Sequence, residues 1–187
     1  LYGEDIAVSA MTVFSKLMQF IVMPMQGIVQ GAQPITSYNF GCRNSARVRE
    51  SFVVLLRACL LYSMCAWGAI MLFPKVFIQV FNNDPALLDY AVGPMRIYFA
   101  VMGIFGAQIA CQNTFLAIGN ARVSLFLALL RKVILLAPLI YILPHFLENK
   151  VVAVYLAEPT ADFIAVVTTL TLFTLSFGKA LRELEKE

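Results

Sequence analysis

Residues 12–39 read TVFSKLMQFIVMPMQGIVQGAQPITSYN, a mostly apolar stretch whose polar residues recur at steps of three, four or seven. A helix turns once in about 3.6 residues, so this spacing places the polar residues on one face. This polar stripe consists of Thr12, Lys16, Gln19, Gln26, Gln30, Gln33 and Ser37. Water disfavours the apolar faces and lipid disfavours the glutamines. The pattern therefore predicts a membrane-spanning helix that turns its stripe inward, toward other helices or a cavity.

The second half of this stretch contains two prolines and a Gly-x-x-x-Gly pair, namely Pro24, Gly27, Gly31 and Pro34. Such residues break soluble helices. Helix bundles in lipid tolerate them, because neighbouring groups satisfy the freed backbone and small residues allow two helices to approach closely. We expect these four residues to produce close packing or a kink.

The composition of the whole chain supports the same conclusion. Its 187 residues are 60% hydrophobic and only 13% charged, with a mean hydropathy of +0.80, whereas soluble domains carry about 25% charged residues. The chain contains one histidine and four cysteines without metal-type spacing, and it has no phosphate-binding loop or catalytic constellation. These features predict an all-α integral membrane protein that is not an enzyme and has no metal site, no cofactor and no nucleic-acid partner.

Five stretches are long and apolar enough to cross about 30 Å of hydrocarbon. The predicted spans are 6–36, 50–73, 87–115, 121–143 and 151–177, followed by a tail at 178–187. Lysine and arginine in the connectors favour one side by seven to two, and cytoplasmic loops carry the excess. The bias predicts a cytoplasmic tail and places residue 1 on the outer side. Aromatic residues suited to an outer interfacial belt are Trp67, Tyr90, Tyr141 and Tyr155.

Charged residues inside the last two predicted spans require compensation. Arg131 and Lys132 lie about ten residues into the fourth span, where a charge costs at least about 2.5–3.5 kcal/mol. Glu158 and Asp162, on the next span, are four residues apart and therefore share a helix face. Two interpretations stay open: a structural salt-bridge cluster that holds the last two helices together, or a protonation or cation site used in transport.

The third predicted span offers a possible wall of a cavity. Tyr98, Phe105, Gln108 and Gln112 recur at helical spacing. Aromatic and glutamine side chains suit flat organic cations, which gain from stacking and cation–π contact. The same residues also suit an ordinary contact between helices, and the sequence favours neither interpretation.

Several segments resemble the multidrug and toxic compound extrusion (MATE) family of transporters. They are residues 24–41 (PMQGIVQGAQPITSYNFG) with Arg43 and Arg47, 114–122 (TFLAIGNAR), 130–138, 142–144 and 157–162 (AEPTAD). The resemblance implies a bundle of twelve helices in two lobes, of which this chain would supply helices eight to twelve. The N-terminal lobe and the first helix of the C-terminal lobe would then be missing partners.

The resemblance also implies a function. The family exports organic cations and drugs across the cell membrane in exchange for protons or sodium, by alternating access. The acids of its C-terminal-lobe cation sites lie on helices seven and ten; helix seven has no counterpart here, and residues 90–119 contain no acid. No coupling site is therefore transferred to this chain. The expected cavity wall consists of Gln26, Gln30, Gln33, Gln108 and Gln112, with Tyr98 and Phe105.

Two alternatives remain beside export of organic cations. A flippase for lipid-linked saccharides, from the same superfamily, would need a markedly cationic cavity, whereas the polar stripe is glutamine with the single cation Lys16. The other alternative is a five-span accessory protein that carries out no transport. All of them predict membrane lipid as a partner.

Overall fold

The computed structural model describes residues 2–147 and 149–186, and within them every regular element is helical. The helices are α1 (Tyr2–Gly41), α2 (Ser45–Leu72), α3 (Pro74–Gln79), α4 (Pro85–Tyr98), α5 (Met102–Ala117), α6 (Ala121–Leu129), a π-helical segment (Leu130–Leu136), α7 (Ala137–Phe146) and α8 (Lys150–Lys186). The prediction of an all-α architecture is confirmed. α8 includes most of the predicted tail and continues as one helix to Lys186.

Four helical stretches are long and apolar enough to cross a membrane: Asp5–Gly41, Ser45–Leu72, Ala121–Phe146 and Lys150–Leu184. Helices α4 and α5 are long and apolar enough to cross a membrane only when they are taken together, and the angle between them is 47°. The described residues thus contain four candidate spans, or five when the bent pair counts as one.

The break between α4 and α5 means that residues 87–115, predicted as one continuous span, form two helices. Backbone bonds from Ala100 N to Ile97 O and from Met102 N to Phe99 O tighten the chain there into three-residue turns. The rings of Tyr98 and Phe99 lie 5.5 and 6.4 Å from the ring of Phe14. We attribute the break to this packing, which holds the end of α4 on α1 while α5 turns toward α2.

Helix α1 buries its apolar face and exposes its polar stripe. Its buried apolar residues are Ala10, Val13, Phe14, Leu17, Ile21, Met25 and Val29. Thr12, Lys16, Gln19, Gln26 and Gln30 are exposed or half-buried, and so is Gln33. The prediction that the stripe turns toward other helices or a cavity holds for part of it. Ser37 donates a hydrogen bond of 2.9 Å to the Ala117 carbonyl of α5, while apolar side chains such as Phe14 make the core contacts of α1. Only Gln19 and Gln26 of the stripe line the cavity described below.

The glycines of α1 make no close contact in the described part of the chain. A Cβ atom built on Gly27 or Gly31 would meet nothing within 4 Å, and α1 continues as a helix through Pro24 and Pro34. The close approach expected there is not made between described residues, because these glycines lie on the exposed side of α1.

A close helix approach lies instead between α2 and α5, at Gly106. A Cβ atom on Gly106 would stand 2.3 Å from the Cys59 carbonyl oxygen. The Ser63 hydroxyl donates a hydrogen bond of 2.8 Å to the Gly103 carbonyl. These two contacts fix the position of α5, which forms one wall of the cavity.

The predicted aromatic belt needs one correction. Tyr90 and Tyr141 are exposed and Trp67 is half-buried. Tyr155, in contrast, is buried and donates a hydrogen bond of 2.8 Å to the Ala7 carbonyl. Tyr155 therefore joins α8 to the start of α1 and does not face an interface. Its ring packs against that of Phe14 at 5.6 Å.

Candidate functional site: a cavity bordered by an intramembrane ion cluster

A cavity of about 640 Å³ lies between α1, α4, α5, the helix that contains the π-helical segment, and α8. It brings together residues from four separate stretches of the sequence. Its lining includes the predicted residues Gln26, Tyr98, Phe105, Gln108, Gln112, Arg131, Lys132 and Glu158, and also Met11, Ser15, Met18, Gln19, Val22, Ile109, Asn113, Ala128, Leu136 and Ile140.

Helix α5 provides the most enclosed wall of the cavity. Phe105 and Gln108 are buried, and Gln112 is half-buried and donates a hydrogen bond of 3.2 Å to the Ser124 carbonyl. The carbonyl oxygen of the Gln108 side chain has no hydrogen-bond partner among the described residues. A buried acceptor without a donor is costly, so an N–H or O–H donor that reached this position would be stabilised.

The ion cluster, formed by Arg131, Lys132, Glu158 and Asp162, borders the cavity on the side of the π-helical segment, which carries both of its basic residues. Arg131 donates through Nε to Asp162 and through Nη2 to Glu158 Oε1 at 3.4 Å. Lys132 Nζ donates to the same Glu158 oxygen at 3.0 Å. The pairing expected from the sequence is thus present in the structure. Its role, structural or in transport, is a separate question.

The arginine of this cluster also contacts the aromatic wall. The guanidinium carbon of Arg131 lies 4.3 Å from the centre of the Phe105 ring, in cation–π geometry. Arg131 therefore has three fixed partners, two carboxylates and one ring. This contact couples the ion cluster to α5, and the sequence contained no signal for it.

A π-helical segment is unusual, and such segments often occur at functional sites. Here it ends just before Pro138, which has no N–H to donate to the preceding turn. The wider turn places Arg131 and Lys132, which are consecutive, so that both contact Glu158 of α8.

Some predicted site residues lie outside this cavity. Gln30 and Gln33 are not among the residues that line it, and neither is Asp162, which is buried behind Arg131. Gly31 borders a second groove of about 580 Å³ between α1 and α2. The role of Gln30 and Gln33 as cavity wall therefore stays a prediction.

Three polar residues in the lining were not selected from the sequence as cavity wall: Ser15, Gln19 and Asn113. Gln19 belongs to the polar stripe, so helical spacing alone could have included it, whereas Ser15 and Asn113 carry no such signal. Within the described ranges, no three His, Cys, Asp or Glu side chains come together as a metal site would require.

Comparison with known proteins gives one family and one fold. The family model MatE matches residues 1–142. Among curated proteins, the chain is similar to Multidrug export protein MepA of Staphylococcus haemolyticus, with 20% identity over 167 residues that make up 88% of this chain and 36% of that protein. It is also similar to MepA of Staphylococcus saprophyticus, with 22% identity over 145 residues, 76% of this chain and 31% of that protein. The chain thus spans about a third of the length of these relatives.

Solved structures show the same arrangement of helices. The MATE multidrug transporter DinF-BH superposes with a TM-score of 0.80 at 33% identity over 92% of this chain and 38% of its own. A MATE structure in the bent conformation superposes with a TM-score of 0.87 at 15% identity, over 95% of this chain and 39% of its own. The second similarity shows the fold alone.

Proposed function

This chain belongs to the MatE family, and from that premise we propose that it forms part of a transporter that exports organic cations and drugs. The chain is part of a multi-pass membrane protein, and it would contribute most of the C-terminal lobe. The remaining helices of that lobe and the N-terminal lobe would be its partners, together with membrane lipid. Its role is transport and not enzymatic catalysis.

The observation that supports this function best is the chemistry of the cavity. Its volume of about 640 Å³ lies within the range of about 300–1,000 Å³ typical of small-molecule sites. Its wall combines Tyr98 and Phe105 with glutamine amides and with the carboxylate of Glu158, which Arg131 and Lys132 contact. Aromatic rings and a carboxylate attract flat cations, while uncharged amides accept many different partners.

The similar proteins support the same proposal. Two relatives carry the name Multidrug export protein MepA, and DinF-BH is described as a MATE multidrug transporter. Each of these proteins is about two and a half to three times as long as the matched region, so its activity reaches this chain only as part of the proposal.

We further propose that export is coupled to inward movement of protons or sodium, through alternating access of the cavity to the two sides of the membrane. No residue of this chain is assigned as the coupling site. In this proposal the tail at the end of α8 faces the cytoplasm and residue 1 lies on the outer side of the cell membrane, as the lysine and arginine bias favours.

The test is efflux of ethidium, a fluorescent organic cation, from cells or proteoliposomes that contain the complete protein. We expect efflux to be driven by an imposed proton or sodium gradient, and its response to each gradient identifies the coupling ion. Gln108→Leu should reduce efflux because it removes the unpartnered acceptor of the cavity wall. The matched control is Gln79→Leu, at the end of α3 and away from the cavity. Absence of ethidium efflux under either gradient would contradict the proposal.

A flippase for lipid-linked saccharides is the second candidate. It would need a cationic surface to hold pyrophosphate, but the two carboxylates of the ion cluster neutralise Arg131 and Lys132. Flipping of a lipid-linked saccharide without ethidium efflux would favour the flippase. The absence of both flipping and efflux would favour an accessory protein.

A further inference from the structure

The ion cluster consists of two unequal pairs. The side chains of Arg131 and Asp162 are 15% and 6% exposed, and Arg131 is held by Asp162, Glu158 and the Phe105 ring. The side chain of Lys132 is 54% exposed, and its contact within the cluster is with Glu158. An exposed lysine on a flexible chain contributes little to such a pair, whereas a buried arginine with several partners is hard to replace.

The net charge of the ion cluster depends on Lys132. Arg131 and Lys132 carry two positive charges, and Glu158 and Asp162 carry two negative charges. Without the lysine, the remaining three groups have one net negative charge beside an apolar wall. An uncompensated charge in such surroundings is costly, so another cation would be stabilised in its place.

A second observation indicates what kind of cation fits. Gln108 is 1% exposed, and within the described part of the chain its side-chain carbonyl oxygen has no hydrogen-bond donor. It lines the same cavity as Glu158, together with the rings of Tyr98 and Phe105. The cavity therefore combines a carboxylate and an unused amide acceptor with two largely buried rings, and Arg131 already lies over the Phe105 ring. An organic cation with N–H donors suits the carboxylate and the amide, and its apolar body would pack beside the rings.

We propose that the Glu158 carboxylate is a binding subsite for the positive charge of such a cation, and that Lys132 is a tethered competitor for that subsite. In the unliganded protein the lysine ammonium occupies the carboxylate. The entering cation displaces it toward the open part of the cavity, where its exposure lets water solvate it. The Arg131–Asp162 pair stays in place and keeps α8 attached to the π-helical segment. This inference rests on the proposed function, because it assumes that organic cations enter the cavity.

The experiment is a fluorescence titration of the purified complete protein with ethidium, which carries a positive charge and amino N–H donors. Lys132→Met removes the competitor and leaves a net negative cluster, so we expect the Kd to fall about two- to fivefold. Glu158→Gln leaves a net positive cluster, and the Kd should rise about tenfold or more.

The matched control is Lys75→Met. Lys75 is 64% exposed and pairs at 3.8 Å with Asp89, away from the cavity, so this variant changes the net charge of the protein by the same amount outside the binding region. Its Kd for ethidium should equal that of the unaltered protein. The double variant Lys132→Met with Glu158→Gln should lose the gain of the lysine variant, because the competitor acts only through the carboxylate.

The possible results separate the two proposals. If the unaltered protein binds and exports ethidium but Lys132→Met has an unchanged or higher Kd, the tethered competitor is refuted and the export function stands. If neither the unaltered protein nor the variant binds or moves ethidium, both proposals fall. Lys132→Gln serves as a second neutral variant, and failure of both neutral variants to give a folded, monodisperse protein would show that the lysine is structural and overturn the inference.

Discussion

Gly106→Ala tests whether the contact between α2 and α5 sets the position of the cavity wall. The added Cβ would lie 2.3 Å from the Cys59 carbonyl oxygen and 2.6 Å from the Ser63 hydroxyl oxygen. Carbon and oxygen atoms in favourable contact are about 3.3 Å or more apart. Because one of these neighbours is backbone, a side-chain rotation cannot relieve the clash, and the two helices must separate by about 1 Å to restore that distance.

The cost follows from what this separation disrupts. Overpacking a well-packed interior typically costs about 1–3 kcal/mol. Moving the helices apart also stretches the hydrogen bond of 2.8 Å from Ser63 to the Gly103 carbonyl, and the loss of such a bond costs about 1 kcal/mol. We therefore expect Gly106→Ala to lower the free energy of unfolding by about 2–4 kcal/mol.

The assay is equilibrium unfolding of the complete protein in one detergent, with Gly27→Ala as the matched control. Gly27 is also a helical glycine, but a Cβ there would meet nothing within 4 Å. Since alanine favours a helix by about 0.5–1 kcal/mol over glycine, the control should be unchanged or slightly stabilised. Equal unfolding free energies for the two variants would refute the argument that the Gly106 approach fixes α5.

Three further predictions concern the ion cluster, the polar stripe and a turn. Arg131→Met leaves Asp162 buried without its cation, so the free energy of unfolding should fall by about 3–5 kcal/mol, as equilibrium unfolding would measure. The amount of protein in the membrane should also fall, as immunoblots would show. Gln30→Leu combined with Gln33→Leu should change the spectrum of exported drugs but not folding, as growth inhibition across a drug panel would show. Gly119 has a φ of +82°, so Gly119→Ala should destabilise by about 1 kcal/mol in the same unfolding assay.

The sequence could predict which four residues form the ion cluster, but not which contacts each of them makes. Two consecutive basic residues in one span and two acids four residues apart in the next leave few other ways to compensate the charges. The different roles of Arg131 and Lys132 could not be predicted, because they depend on which side chain reaches the Phe105 ring and which reaches the cavity. That choice is made by the π-helical segment, whose wider turn has no simple sequence signature beyond the nearby Pro138.

The polar stripe of α1 shows a different limit. Helical periodicity correctly groups its residues on one face, but it does not say which face meets the rest of the chain. In water the apolar face packs inward, whereas in lipid either face can do so. Here Phe14 and its apolar neighbours pack against α4, and most of the stripe remains exposed. Gln19 and Gln26 reach the cavity only because it opens on the same side.

Helix α5 connects the packing of the bundle to the chemistry of the cavity. Gly103 and Gly106 lie on one side of this helix against α2, whereas Phe105 and Gln108 line the cavity from the other. The same backbone contact that brings α5 close to α2 therefore sets the distance at which Phe105 meets Arg131. In the proposed binding of a cation, this fixed wall would keep its position, and the movement would come from Lys132, whose side chain is 54% exposed against 15% for Arg131.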